Sequence, residues 1–200
     1  EIATFRSDSG YSDGRRPDAV TFTDAKSDAI RRDFTINGLF YDPITDKIID
    51  YIDGQRDLET RLVRFIGNPD TRIKEDHLRI LRAIRMKNML DFQYDPQTYA
   101  ALKSHAQLIT KVAAERIGDE FSKILVNGNI DDGGKIGGSA RKAFEDMEDT
   151  GVLQAIMPEL VQLKGLAQPY QYHQEGDVWE HAMRAVESLP NDATLEVRWA

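Results

Sequence analysis

The sequence predicts an α+β protein, with a mixed strand-and-helix segment up to about Asp57 and helices after it. Two observations carry this. Short strand-like runs bounded by Gly, Pro, Asp and Ser occur early, at Glu1–Arg6, Ala19–Phe22 and Ile48–Ile52. Later, apolar residues recur at helical spacing over 74–89, 96–108, 111–126, 139–150 and 178–188. In order, Glu1–Arg6 alternates enough for a strand. Ser7–Asp18, rich in Ser, Asp, Gly and Arg, reads as a mobile loop. Ala19–Phe22 returns as a second strand, giving a hairpin with a long basic tip. Asp24 suits the cap of a helix running to Arg32. Asp42-Pro43-Ile44-Thr45-Asp46 is a turn before the third strand. Pro69, Pro96, Pro158, Pro169, Pro190 and the run Gly133–Gly138 separate the later helices.

The bulk numbers are those of an ordinary globular chain: 200 residues, 40% hydrophobic and 30% charged. No stretch approaches the roughly 20 apolar residues of a membrane span. The absence of cysteine excludes disulfides and thiolate metal sites and fits a reducing cytoplasm. The net charge of −8 argues against a chain-wide nucleic-acid surface but permits a local one. Residues 61–90 carry eight Lys and Arg against three acids, a local net of +5. The chain opens on Glu1, with no basic-then-apolar leader, and stops inside a helical pattern. It reads as a piece of a longer protein.

The segment Glu75-Asp76-His77-Leu78-Arg79-Ile80-Leu81-Arg82-Ala83-Ile84-Arg85 is the richest in chemistry. On a helix, residues three apart are neighbours. Asp76 and Arg79 would then stand side by side, with Arg82 and Arg85 continuing the row and Glu75 holding Arg79. A carboxylate beside a guanidinium complements the Watson–Crick edges of cytosine and adenine, which show an amino donor next to a ring-nitrogen acceptor. Against uracil or guanine the same pair leaves polar groups unmatched, at about 1–3 kcal/mol each. The plainer reading is a solvated cationic face, but Leu78, Leu81 and Ile84 put these arginines on the border of a buried stripe. A second cluster is Arg31-Arg32-Asp33-Phe34-Thr35-Ile36-Asn37-Gly38-Leu39. It reads either as a helix end with favourable terminal cations or as a phosphate and ribose site. In the second reading, arginine binds phosphate oxygens, aspartate accepts from a ribose hydroxyl, and Asn37 fixes the loop.

In this order the motifs resemble those of the class II tRNA nucleotidyltransferase and bacterial poly(A) polymerase family, over roughly residues 1–165. Glu1–Arg6 with Tyr11–Asp18 resembles the family's head strand and flexible loop. Arg31–Leu39 resembles its ribose and triphosphate motif, and Asp50–Leu58 its head-to-neck connector. Glu75–Arg85 resembles the amino-acid template for the incoming base. Ala114-Glu115-Arg116-Ile117 followed by Glu120 resembles the helix that supports that template. Gly38 stands where the family often has Ala.

The resemblance implies the C-terminal part of a polymerase-β-like nucleotidyltransferase head (1–57), a helical neck (58–125), a helical body (126–168) and the start of an HD-type domain (169–200). It implies template-independent addition of CMP and AMP, from CTP and ATP, to a tRNA 3′ end. Poly(A) synthesis and a non-catalytic RNA-binding module are the alternatives. Arg32 would contact the triphosphate and Asp33 the ribose. Asp76 and Arg79 would pair with the base, and Arg82 and Arg85 would line the nucleotide pocket. Glu75, Glu115 and Arg116 would support the template. Arg15, Arg16 and Pro17 would belong to the loop that switches from C to A addition, which favours CCA addition. Magnesium is the implied metal, clamped by carboxylates. The family's Asp-x-Asp pair has no counterpart here, and the one candidate metal-facing carboxylate is Glu1. The 200-residue chain alone is therefore expected to be inactive. A phosphohydrolase reading of Tyr172–His181 makes His181 a first metal ligand, with its partners further along an HD-type domain. Its plainer reading is a turn entering a helix.

Overall fold

Strand β1 (Arg6–Ser9) pairs antiparallel with β2 (Ala19–Phe22), placing Arg6 opposite Phe22 and Ser9 opposite Ala19. The hairpin is the expected one, shifted along its first arm, since Ser7–Ser9 belong to the strand and not to the loop. The structure, a computed structural model, describes residues 4–9, 19–127, 140–190 and 193–199. The hairpin tip with Arg15, Arg16 and Pro17, the Gly133–Gly138 run and Glu1 lie outside the described residues. The chain divides into two units, residues 1–79 with 92–105 and residues 80–91 with 106–200.

In the first unit, Asp24 caps α1 (Ala25–Arg31), its carboxylate accepting from the Ser27 N–H at 2.8 Å. The helix ends because Arg32 turns extended. That brings Phe34 into a bridge with Phe65, flanked by the bonds Thr35 N–H to Arg64 O and Ile66 N–H to Asp33 O, both 3.0 Å. The two rings stack with centroids 5.0 Å apart, and Val63, Ile73 and Leu102 are fully buried in the same unit. Each such side chain contributes about 1.5–3 kcal/mol. A 3-10 turn (Thr35–Asn37) leads to the hairpin β3 (Phe40–Asp42) and β4 (Lys47–Ile49). Helix α2 (Gly54–Glu59) is fastened to the turn by buried Asp57, which accepts from Thr35 Oγ1 at 2.5 Å and Arg64 Nε at 2.8 Å. At Gly38, an added Cβ would meet the δ-methyl of Ile52, so that side chain would have to shift.

Strand β5 (Leu62–Val63) pairs parallel with β6 (Gln93–Tyr94), so the region after Leu58 is not purely helical. Two-residue strands are too short to show a period of two, and their partners come from distant sequence. Helix α3 (Pro69–Glu75), with Asn68 as N-cap and Pro at its first position, packs on α5 (Pro96–His105). The His105–Asp70 contact at 2.7 Å joins them.

The second unit holds most of α4 (Arg79–Leu90), together with α6 (Ala114–Asn127), α7 (Ala140–Asp149), α8 (Val152–Ile156), α9 (Pro158–Val161), α10 (Val178–Glu187) and α11 (Leu195–Trp199), and its buried apolar helix residues come from α4, α6, α7, α8 and α10. Phe121 meets Phe144 edge-on at 5.7 Å, and Trp199 lies 5.9 Å from Phe121. Arg141 forks onto Glu180 at 3.0 and 2.8 Å, tying α7 to α10. Asp146 accepts from Lys87 Nζ at 3.1 Å and Asn88 Nδ2 at 2.7 Å. No helix among the described residues is long and apolar enough to cross a membrane.

Candidate nucleotide site

The end of α1 is organised around one carboxylate. Asp28 is 2% exposed. Its Oδ1 accepts from the Arg6 N–H at 3.1 Å and from Arg31 Nε and Nη2 at 2.9 and 2.6 Å. Its Oδ2 accepts from Arg32 Nε and Nη2 at 3.1 and 3.0 Å. Burial pushes the Asp28 carboxyl up, yet the bonds from Arg31, the Arg6 N–H and Arg32 outweigh it and hold the group below its ordinary range. Arg32 also donates Nη1 to Asn37 O at 2.8 Å and lies over the Phe40 ring at 4.8 Å. Three of its five N–H donors are thereby engaged. Asp33, 8% exposed, accepts from the Phe34 N–H and from Asn37 Nδ2, both at 2.9 Å. Arg32 and Asp33 thus stand next to each other with their orientations set, and Asn37 holds both.

The second cluster departs from the expected single helix over 74–89. Helix α3 stops at Glu75 and α4 begins at Arg79. Asp76 is extended (φ −145°, ψ 107°), and its Oδ1 accepts the Leu78 N–H at 3.2 Å. That local bond competes with the helix ladder. His77 Nδ1 reaches Ile73 O at 2.9 Å, satisfying a terminal carbonyl of α3. Asp76 and Arg79 are therefore not two rungs of one helix. They flank a tight junction closed by the Arg79 N–H to Asp76 O bond at 3.0 Å.

Glu75 holds Arg79 as expected: its Oε2 accepts Arg79 Nη1 at 2.6 Å. The same Nη1 donates to Arg72 O at 2.8 Å. Among the described residues, Nε and Nη2 of Arg79 have no other hydrogen-bond partner, so the guanidinium is anchored by one nitrogen and keeps one edge for a ligand.

Arg72 joins the two clusters. Its Nη1 donates to Glu75 Oε2 at 2.5 Å, and its Nη2 reaches the terminal carbonyls of α1, Arg31 O at 2.5 Å and Arg32 O. It is 8% exposed. A continuous path therefore runs from the Arg32 backbone through Arg72 and Glu75 to Arg79. Neither Arg72 nor Asp28 was singled out from the sequence. Asp28 was legible there, because Arg31 and Arg32 follow at the i+3 and i+4 spacings that pair on a helix. For Arg72 only the i+3 pairing with Glu75 was legible; its carbonyl partners lie about forty residues away.

In the second unit, Arg85 Nε donates to Glu120 Oε2 at 2.8 Å, and Lys123 Nζ to Glu120 Oε1 at 2.8 Å. Burial raises the Glu120 carboxyl, but the Lys123 and Arg85 contacts win and keep it below its ordinary range. Arg82 is half-buried, one turn before Arg85 on α4. Glu115 is exposed and Arg116 half-buried in the first turn of α6. The carboxylate of this helix that reaches the arginine row is Glu120.

At the other end of that unit, His181 has two companions. Glu175 Oε1 lies 2.5 Å from His181 Nδ1 and 3.1 Å from His173 Nδ1. Hydrogen bonds, the His181 one foremost, hold the Glu175 carboxyl down to about 2.

Comparison with known proteins agrees with this anatomy. Residues 1–64 match the poly A polymerase head domain, and residues 91–135 match the probable RNA and SrmB-binding site of polymerase A. The CCA-adding enzyme of Lactobacillus johnsonii is 42% identical over 157 residues, 78% of this chain and 37% of its own. The solved Bacillus stearothermophilus CCA-adding enzyme in complex with CTP aligns at a TM-score of 0.61 and 31% identity, covering 74% of this chain and 33% of that one. An apo CCA-adding enzyme at 24% identity and a TM-score of 0.66 shares the fold over 98% of this chain and 47% of its own. The architecture is that of a polymerase-β-like nucleotidyltransferase head with a helical body. The chain belongs to the tRNA nucleotidyltransferase and bacterial poly(A) polymerase family. It spans 37–40% of the length of the first curated relatives it matches.

Proposed function

We propose that this chain supplies the nucleotide-selecting part of an enzyme that adds CMP and AMP, from CTP and ATP, to the 3′ end of tRNA. The observation that carries the reading is Arg79. It is held by Glu75 and Arg72 O through one nitrogen and leaves its Nε and Nη2 edge without a protein partner among the described residues. Asp76 adjoins it in the junction. The pair offers donors and an acceptor to a base edge, matching cytosine and adenine and mismatching uracil and guanine. Arg32, with two N–H donors unengaged among the described residues, takes triphosphate oxygens, and Asp33 takes the ribose. Support comes from the 42% identical CCA-adding enzyme and from the CTP complex of the 31% identical one.

In the reaction, a terminal ribose hydroxyl attacks the α-phosphorus of the bound nucleotide and pyrophosphate leaves. Metal ions, magnesium being the expected one, neutralise charge on the transferring phosphate when bound. The acids described around the site do not form a metal clamp. Asp28 is engaged by two guanidiniums and Asp33 by an amide and a backbone N–H. The role of this part of the chain is therefore to bind, orient and select. Binding of tRNA rests on phosphate contacts and weakens steeply with salt.

The test is Asp76→Ala and Arg79→Ala in the full-length protein, with incorporation of each of the four nucleotides into tRNA lacking its 3′ end. Both variants are expected to lose at least tenfold of the preference for C and A over U and G, about the value of one or two mismatched polar groups. Unchanged preference in both would sink the template reading. Efficient AMP addition to generic RNA with ATP alone would move the assignment to poly(A) synthesis.

A further inference from the structure

We infer that His173, Glu175 and His181 form a binding site for a divalent transition-metal ion of the zinc, cobalt or nickel kind. The reading starts from a convergence. Nδ1 of His173 and Nδ1 of His181 approach the same oxygen, Oε1 of Glu175, at 3.1 and 2.5 Å. The three ligand atoms all lie within 4.8 Å of one another. The rings stand perpendicular, with centroids 4.9 Å apart, so both nitrogens face one point without the rings clashing.

The backbone is built to hold this. His181 is in the first turns of α10, whose N-cap Asp177 accepts from the Glu180 N–H at 2.8 Å and the Gly165 N–H at 2.7 Å. The Val178 N–H donates to Leu166 O at 3.1 Å. His173 is set by its N–H bond to Pro169 O at 3.1 Å. Between them, Gly176 at φ +130° adopts a backbone that side-chain-bearing residues rarely take, and this folds Glu175 back toward both imidazoles.

The partners of the neighbouring acids sharpen the case. Glu180 is taken by Arg141 and Arg184, and Asp177 by backbone N–H groups. Among the described residues, Glu175 has no lysine or arginine, only the two imidazoles. Two neutral imidazoles and one carboxylate make a set of net charge −1 that suits borderline metals over magnesium or calcium. Metal–ligand distances of about 2.0–2.2 Å require donor atoms roughly 3–3.5 Å apart, so on binding the 2.5 Å Glu175–His181 contact opens and the two imidazole nitrogens, which lie within 4.8 Å of each other, settle around the ion. Three protein ligands leave at least one position open to water or substrate. The set closes within residues 173–181 and needs none of the further HD-type ligands.

The experiment uses the 200-residue chain without a polyhistidine tag, stripped with chelator and titrated with zinc chloride and with cobalt chloride by calorimetry and visible absorption. One equivalent is expected to bind with a dissociation constant in the micromolar range or tighter, with cobalt d–d bands. His173→Ala, His181→Ala and the near-isosteric Glu175→Gln should each weaken binding tenfold or more, while His105→Ala leaves it unchanged. Circular dichroism checks that each variant is folded, and Glu175→Gln keeps the test open should an alanine variant unfold. Absence of stoichiometric binding, or binding that survives Glu175→Gln and His173→Ala, would overturn the site and leave a hydrogen-bonded His–Glu–His cluster. This outcome is independent of the nucleotide reading, which uses none of these residues.

Discussion

Asp28 in the first unit and Glu120 in the second are both nearly fully buried carboxylates that hold arginines, and they do it in opposite ways. Asp28 holds Arg31 and Arg32 from its own helix and also the backbone of β1, with five bonds to one side chain. Glu120 holds Arg85, 35 residues earlier in the chain, and its own-helix neighbour Lys123. The difference teaches where order comes from. The first cluster is set by a helix and its two terminal arginines. The second exists only once α4 and α6 have packed. Both carboxylates stay ionised although burial favours the neutral acid, because each has at least two cations bonded to it.

The largest effect is expected for Asp28→Ala. It leaves two guanidiniums without their counter-charge and a strand end without its acceptor. The arginines are partly exposed, so the loss falls between the surface and buried limits, about 2–4 kcal/mol in urea unfolding of the 200-residue chain. Glu120→Gln follows at about 1–3 kcal/mol. Fewer bonds are lost and Lys123 is half-exposed, so it can return to water. If Glu120→Gln costs more than Asp28→Ala, the comparison is inverted and long-range packing dominates both sites.

Arg72→Lys should cost about 1–2 kcal/mol, since one ammonium cannot span the α1 carbonyls and Glu75 as the planar fork does. A cost near zero would show that the link between the two clusters carries little. The smallest effect is in pH dependence. Asp28 and Glu120 have folded-state acidities below their ordinary 3.8 and 4.5. Their contribution is therefore fully present above about pH 5 and is lost as pH falls through the lower, folded values. Urea midpoints measured from pH 6 to pH 3 should decline with acid. The decline should be shallower in Asp28→Asn and Glu120→Gln, and parallel curves would show that other groups control acid stability.

Much of this was legible in residue order. Asp24 as a cap, the helices over 96–105, 114–127, 140–149 and 178–187, and the hairpin of β1 with β2 follow from local propensity and short-range periodicity. The break at Asp76 was hidden because the apolar period continues through it. A side-chain bond to the Leu78 N–H overrides that period, and periodicity does not register such a bond. The β5–β6 pair was hidden because each strand is two residues long. The companions of His181 were hidden because a turn at Gly176, not a helical or strand spacing, folds Glu175 back.

The sequence by itself determined most of the helices, the first hairpin and which charges sit at helix ends, because those depend on neighbours within about four residues, and the order of its motifs carried the family. Only the tertiary structure decided that Arg72 joins the end of α1 to Glu75 and Arg79, that Glu120 rather than Glu115 meets the arginine row, and that two histidines share one carboxylate. The first two depend on backbone directions set by packing between segments far apart in the chain, the third on the turn at Gly176. A guanidinium or imidazole finds its partner only after those directions are fixed.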